Sequence, residues 1–348
     1  MESRRGQRVT PPVTGELGEM GDFNGDGHLD IVTVNGNDNT VSVLLGTGSG
    51  TFQPQATFPV ASAFAGPADV AVGDFNGDGY LDIVTANGND YTVSVLLGNG
   101  SGDFQPQAKF PVGPGPFAVA VADLNGDGHL DIVTANLYDN TVSVLLGDGS
   151  GSFQLQVTFP VGAAPIAVAV GDFNGDGYLD IVTSNESDNT VSVLLGDGSG
   201  TFQLQVTFPV GSQPVDVAVG DFNGDSHLDI MATNNRDNSV SVLLGTGSGS
   251  FQAQATFPVG PAPYGVAVGD FNRDGHLDIV ATDNGDNSVS VLLGTGSGSF
   301  QPYAIFAVGS APRSVAVGDL NGDGYLDIVA VNNKDNTVSV LLGKACGA

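Results

Sequence analysis

Residues 22 to 30 read DFNGDGHLD, which sets Asp22, Asn24, Asp26 and Asp30 at positions 1, 3, 5 and 9 of one short stretch. Four oxygen-bearing side chains at that spacing, with the backbone carbonyl of His28 at position 7, offer the hard all-oxygen donor set that suits calcium better than the geometrically stricter magnesium. Gly25 and Gly27 supply the positive-φ turns that such a wrap needs. A helix–loop–helix calcium site would carry Glu at position 12, but Thr33 stands there. The loop is therefore expected between strands and closed by its position-9 Asp.

The chain writes this loop seven times, at 22–30, 74–82, 123–131, 172–180, 221–229, 270–278 and 319–327. The further donor sets are Asp74, Asn76, Asp78 and Asp82; Asp123, Asn125, Asp127 and Asp131; Asp172, Asn174, Asp176 and Asp180; Asp221, Asn223, Asp225 and Asp229; Asp270, Asn272, Asp274 and Asp278; and Asp319, Asn321, Asp323 and Asp327. Position 7 is Tyr80, His129, Tyr178, His227, His276 and Tyr325 in turn, each expected to offer only its backbone carbonyl. Tyrosine does not replace a zinc-binding imidazole, so the rings are expected to pack over the loop. Ser226 replaces one glycine and Arg273 another, and Arg273 is expected to weaken the sixth site by its charge. Three acids in each of seven loops account for 21 of the 38, and seven Ca²⁺ would bring the net charge from −29 to −15. Without cations, crowding would raise the carboxylate pKa values.

The loops recur at intervals of 52 and then 49 residues, and each period holds four short Val/Ile/Thr/Phe-rich runs punctuated by Gly, Asn, Asp and Pro. No helical periodicity intervenes. Four strands in each of seven units predict an all-β chain folded as one closed seven-bladed β-propeller of antiparallel blades spanning 1–348. The nearly continuous apolar runs VSVLL and DIV suit strands covered on both faces. The last repeat stops after its third strand, and RVTPPV (8–13) matches QVTFPV (205–210), so the N-terminal segment is expected to complete the last blade.

The net charge of −29 opposes binding to nucleic acid or anionic membrane surfaces. No apolar run approaches the ~18 residues of a membrane span. The N-terminal MESRRGQRVTPPVTG has no apolar stretch, so no secretory signal is expected in it. The single Cys346 allows no intrachain disulfide. A base beside Ser or Cys is missing because every His lies in a loop, so no enzyme is expected.

The loops, the FPVG…AP segments and the count of seven resemble the FG-GAP (VCBS) repeat family, which includes the propeller head of integrin α subunits and fungal and bacterial lectins and adhesins. The resemblance covers essentially the whole chain. It implies calcium, up to seven ions, in the loop between first and second strands on one face, partners on the other, and action outside the cell or at its surface. It does not imply one ligand.

Among the repeats, change concentrates in the turn between strands two and three and in the blade-to-blade link, both on the face opposite the loops. Tyr91, Phe117, Tyr138, Tyr264 and Arg313 stand out there as candidate ligand contacts. Asn, Asp and aromatic side chains could grip a carbohydrate or a protein ligand. An Asp recurring in every turn (Asp38, Asp90, Asp139, Asp188, Asp237, Asp286, Asp335) is expected to form the turn itself. The competing reading is a bare scaffold from recent repeat amplification or design, since TVSVLLGDGSG occurs twice verbatim. A monomer is expected.

Overall fold

Short β-branched runs, separated by turns rich in Gly, Asn and Asp, fold into strands whose inner members must bury both faces, and they do so by stacking blade against blade. The computed structural model describes residues 7–9, 15–61 and 65–344. Residues 10–13 of the expected closing strand, residues 62–64 of the insertion before the second blade, and Cys346 lie outside the described residues.

Strands are numbered along the chain. The described residues form 28 strands in seven four-stranded antiparallel sheets, and no helix. In the first blade β2 (Gly15–Gly21), β3 (Asp30–Asn35), β4 (Thr40–Leu44) and β5 (Ala56–Pro59) follow one another as a meander. Every residue of β3 is buried, polar ones included, because neighbouring blades cover both faces. β5 is outermost and largely exposed. The first strands of the seven blades line a central axis.

Most junctions are fastened the same way, the third blade carrying Ala122 where the others have glycine. Gly21 sits where a Cβ would come 2.4 Å from Leu81 Cδ1 of the next blade, and Gly318 meets Leu29 in the same manner at 2.6 Å, so glycine there lets blades approach closely. The Gly102 N–H donates to the Phe23 carbonyl one blade back, and the Gly50 N–H donates equivalently to Leu320, the first blade on the last. Phe104 packs edge-on against Phe23 (5.8 Å) and Phe58 (5.1 Å), an arrangement that recurs at further junctions.

In the last blade β1 (Gln7–Val9) pairs with β28 (Thr337–Leu341), outside β27 (Asp327–Asn332) and β26 (Pro312–Gly318). Val9 pairs with Val338, the position that Phe208 occupies on Val191 in the fourth blade. The sequence match put Val9 level with Val206, so the pairing differs by two residues, an even slip that keeps the alternation of faces.

Candidate metal loops and ligand face

The loops lie at one end of the strands. Asp22 Oδ1 accepts the Gly25 N–H (2.7 Å) and Oδ2 the Gly27 N–H (2.8 Å). Asn24 Oδ1 accepts the Asp26 N–H (2.9 Å), and Asp26 Oδ1 the His28 N–H (2.9 Å). Gly25 and Gly27 have φ of 73° and 82°, while Ser226 (67°) and Arg273 (63°) hold the same left-handed conformation with a side chain, which costs about 1–2 kcal/mol.

The position-9 Asp does something different. Asp30 is fully buried; its Oδ2 accepts the Phe23 N–H (2.8 Å) and its Oδ1 the Gly46 N–H (2.7 Å), tying the loop entrance to the end of the third strand. The other six closing residues, Asp82, Asp131, Asp180, Asp229, Asp278 and Asp327, bond alike. Burial raises their carboxyls, to about 6 for Asp82, Asp131, Asp180, Asp229 and Asp327, with the neighbouring loop carboxylates only a lesser cause. Charge crowding is thus not the main effect expected from the sequence, and Asp127, Asp225 and Asp274 are even lowered, chiefly by the backbone N–H they accept.

The donor set is all oxygen and so fits a hard cation. Even so, among the described residues no three Asp, Glu, His or Cys side chains already converge as a metal shell, because backbone N–H groups occupy them instead. The position-7 rings lie against a glycine of the loop between strands three and four. A Cβ on Gly48 would meet the His28 ring at 2.4 Å, and one on Gly100 the Tyr80 ring at 2.2 Å. Arg273 reaches over the Tyr325 ring (3.9 Å to its centre), so its charge is shared with the seventh loop.

At the other end, turns and links are stapled together. Asp188 accepts the Ala163 N–H (2.6 Å), Asp237 the Ser212 N–H (2.6 Å) and Asp335 the Ser310 N–H (2.8 Å), each from the link entering its own blade. The turn Asp therefore does more than shape its turn. Asn140, Asn189, Asn238 and Asn287, at left-handed φ, accept from the next link (2.8–2.9 Å). Sequence reading missed this role, although the invariance of Asp-Asn across six turns was its signal. Tyr91 takes the place of that Asn in the second blade, with φ 56° and an exposed ring.

The five candidate ligand residues do not form one site. Phe117 and Tyr264 line a cavity on the axis, and Arg313 lies 5.3 Å from the Tyr264 ring centre. Tyr91 and Tyr138 stand on the turns, 44% and 62% exposed. Between the fourth and fifth blades lies a separate open cleft of about 680 Å³, lined by Glu186, Ser187, Asn189, Ser212, Gln213, Arg236 and Asp237.

A seven-bladed ring with an Asp-rich loop after each innermost strand defines a repeat propeller. The FG-GAP-like repeat profile matches residues 22–85, 74–134, 123–183, 172–232, 221–281 and 270–330, and the chain belongs to that family. Among solved structures it is similar to a streptogramin B lyase (14% identity, 98% of this chain and 97% of that one, TM-score 0.66). It is also similar to BBS1N in complex with ARL6DN (12%, 97% and 94%, 0.68) and to an Agrocybe aegerita lectin that recognises non-reducing terminal N-acetylglucosamine (23%, 84% and 80%, 0.58). At these identities the likeness is one of fold. No curated protein matches the sequence.

Proposed function

We propose that the protein is a non-catalytic, calcium-binding propeller that binds carbohydrate on the face opposite its calcium loops. The observation that carries this is the cleft between the fourth and fifth blades. Every residue lining it is polar, and its walls are held by the Asp237 and Asn189 staples, so hydrogen-bonding groups are presented on a rigid frame. That combination suits a hydroxyl-rich ligand better than an apolar one. The Agrocybe lectin supports the reading only in that a propeller of this shape serves sugar recognition there.

Calcium would be held in each loop by the position-1 and position-5 Asp, the Asn between them, the position-7 carbonyl and the closing Asp, and it would supply charge neutralisation and rigidity. A protein-adhesion reading is favoured by one observation, the exposed pair Tyr91 and Tyr138 at a junction that lacks the Asn staple. Calcium-rich surroundings outside the cell fit either reading.

A glycan array probed with labelled protein in millimolar calcium, beside a chelated control, tests the proposal. Calcium-dependent binding to a defined sugar, lost on Arg236→Ala or Glu186→Ala, is expected. A blank array from protein shown to be folded would overturn it.

A further inference from the structure

The loop between the third and fourth strands of the second blade departs from its counterparts at one residue. Asn99 stands where five other blades have Thr47, Asp148, Asp197, Thr246 and Thr295. With Gly100 and Ser101 it makes Asn-x-Ser with no proline between, the acceptor pattern for an N-linked glycan. The sequence holds one other copy of that pattern, Asn185-Glu186-Ser187. The fold treats the two in opposite ways.

Asn99 and Ser101 are both exposed. Asn99 Oδ1 accepts the Ser101 N–H (2.9 Å) and the Ser101 hydroxyl (2.6 Å), and Asp148 Oδ1 accepts the N–H and hydroxyl of Ser150 at the same two distances. One side-chain oxygen therefore shapes the loop in either blade. The Asn99 Nδ2 takes no part in this, and among the described residues it makes no hydrogen bond, so a group attached there breaks no contact of the loop. Asn185 is the reverse. It is fully buried, and its Nδ2 donates to the hydroxyls of Thr190 (3.0 Å) and Ser192 (2.8 Å). A single Cβ added to Gly162 would already come within 2.5 Å of that nitrogen. A sugar on it has no room in a closed fourth blade.

We infer that Asn99 is an acceptor for N-linked glycosylation, and that the folded protein carries its one such chain there. The step joins Asn99 Nδ2 to the anomeric carbon of a polyprenyl-diphosphate-linked oligosaccharide. The bond from that carbon to the diphosphate breaks, and one amide proton leaves with the lipid diphosphate. The inference rests on the setting outside the cell proposed above, since the donor is met on the export route. Its position bears on partners. Gly102 of the same loop donates to the Phe23 carbonyl across the junction, and a Cβ on Gly25 would stand 3.8 Å from the Gly100 carbonyl oxygen, so the glycan rises beside the first calcium loop. A bulky, hydrated chain there screens that end of the ring and leaves the opposite face, with its cleft, open.

Route the full chain through the secretory pathway of an animal cell line behind an added leader, and recover it from cells and medium alike. Mass spectrometry of the intact protein and its peptides, before and after peptide N-glycosidase, reads the modification. One glycan on Asn99 in most molecules, and none on Asn185, is expected. Asn99→Asp, which installs the residue that Asp148 and Asp197 supply in their blades, should lose the glycan and keep the melting temperature. Ser101→Ala should lose it as well, although Asn99 remains. The glycosylated and enzymatically stripped proteins should melt together. A bare Asn99 in the recovered chain, a melting temperature lowered by the glycan, or a glycan on Asn185 of folded protein would overturn the assignment. A bare Asn99 leaves the glycan-array result untouched, and a blank array leaves this one untouched, so the two readings fail separately.

Discussion

The two ends of this propeller are built from the same repeats under different constraints. At the loop end the Asp and Asn side chains accept backbone N–H groups of their own loop, and the closing Asp accepts one more from beyond it, so replacing any of these four residues breaks a bond, and seven copies stay nearly alike. At the other end the staples rest on the turn Asp-Asn pair and on backbone groups of turn and link, which leaves most of the remaining turn and link side chains without a shared task. Those positions differ from blade to blade, as Ser187, Arg236 and Tyr138 do. Individuality is found where backbone bonding has already been settled by other residues.

Metal removal should separate the two ends most strongly. Each occupied loop adds about 2.7 kcal/mol at a hundredfold excess of ion over its Kd, and seven such sites act together. Excess chelator is therefore expected to lower the melting temperature by tens of degrees, measured by circular dichroism. A melt unchanged by chelation would mean that the loops are hydrogen-bonded turns alone, and the contrast between the ends would rest on packing only.

A second comparison lies within a single loop. Asp180 is buried under two backbone N–H groups, from Phe173 and Gly196 (2.8 Å each), whereas Asp176 is exposed. Asp180→Ala leaves both donors buried and unpaired, at about 1–3 kcal/mol each. It is expected to destabilise the protein by about 2–6 kcal/mol in urea unfolding even with chelator present. Asp176→Ala should cost little under chelation and show its effect only in calcium. Equal losses in both variants under chelation would remove the distinction between a residue that also ties the loop to the third strand and one whose main task is the ion.

Much of this was legible in the sequence for physical reasons. The 49-residue period fixed the number of blades, because a repeated β unit must stack on its neighbours. Strand order and the two-faced layout followed from the direction of the first strand into its loop. The double duty of Asp30 was hidden, since its second partner, Gly46, lies 16 residues away across a strand pair. The axial cavity was hidden for a similar reason. Glu19, Asp69 and Asp216 sit in three non-adjacent stretches of sequence, and only ring closure brings them to one axis. Phe117 and Tyr264 were picked for their variability, but their placement on the axis rather than with Tyr91 required the fold.

The smallest expected effect concerns that axis. Asp216 has its carboxyl raised to about 7 in the folded chain, first by burial and then by Glu19, against an unfolded value of 3.8. The folded state therefore holds the proton more tightly, the unfolded chain binds fewer protons between these values, and stability falls as pH rises from about 4 to 7. Water reaches the channel, so the retained effect is about 1–2 kcal/mol, less than the nominal shift implies. In chelator, where no ion competes, wild-type protein should be more stable at pH 5.5 than at pH 8, and Asp216→Ala should flatten part of that slope, by about 2 °C in melting temperature. The closing Asp residues add a slope of the same sign, which is why the difference between wild type and variant carries the test. An identical slope in both would place the titrating groups wholly at the loop end, and the axis would then be electrostatically as uniform as the repeats that build it.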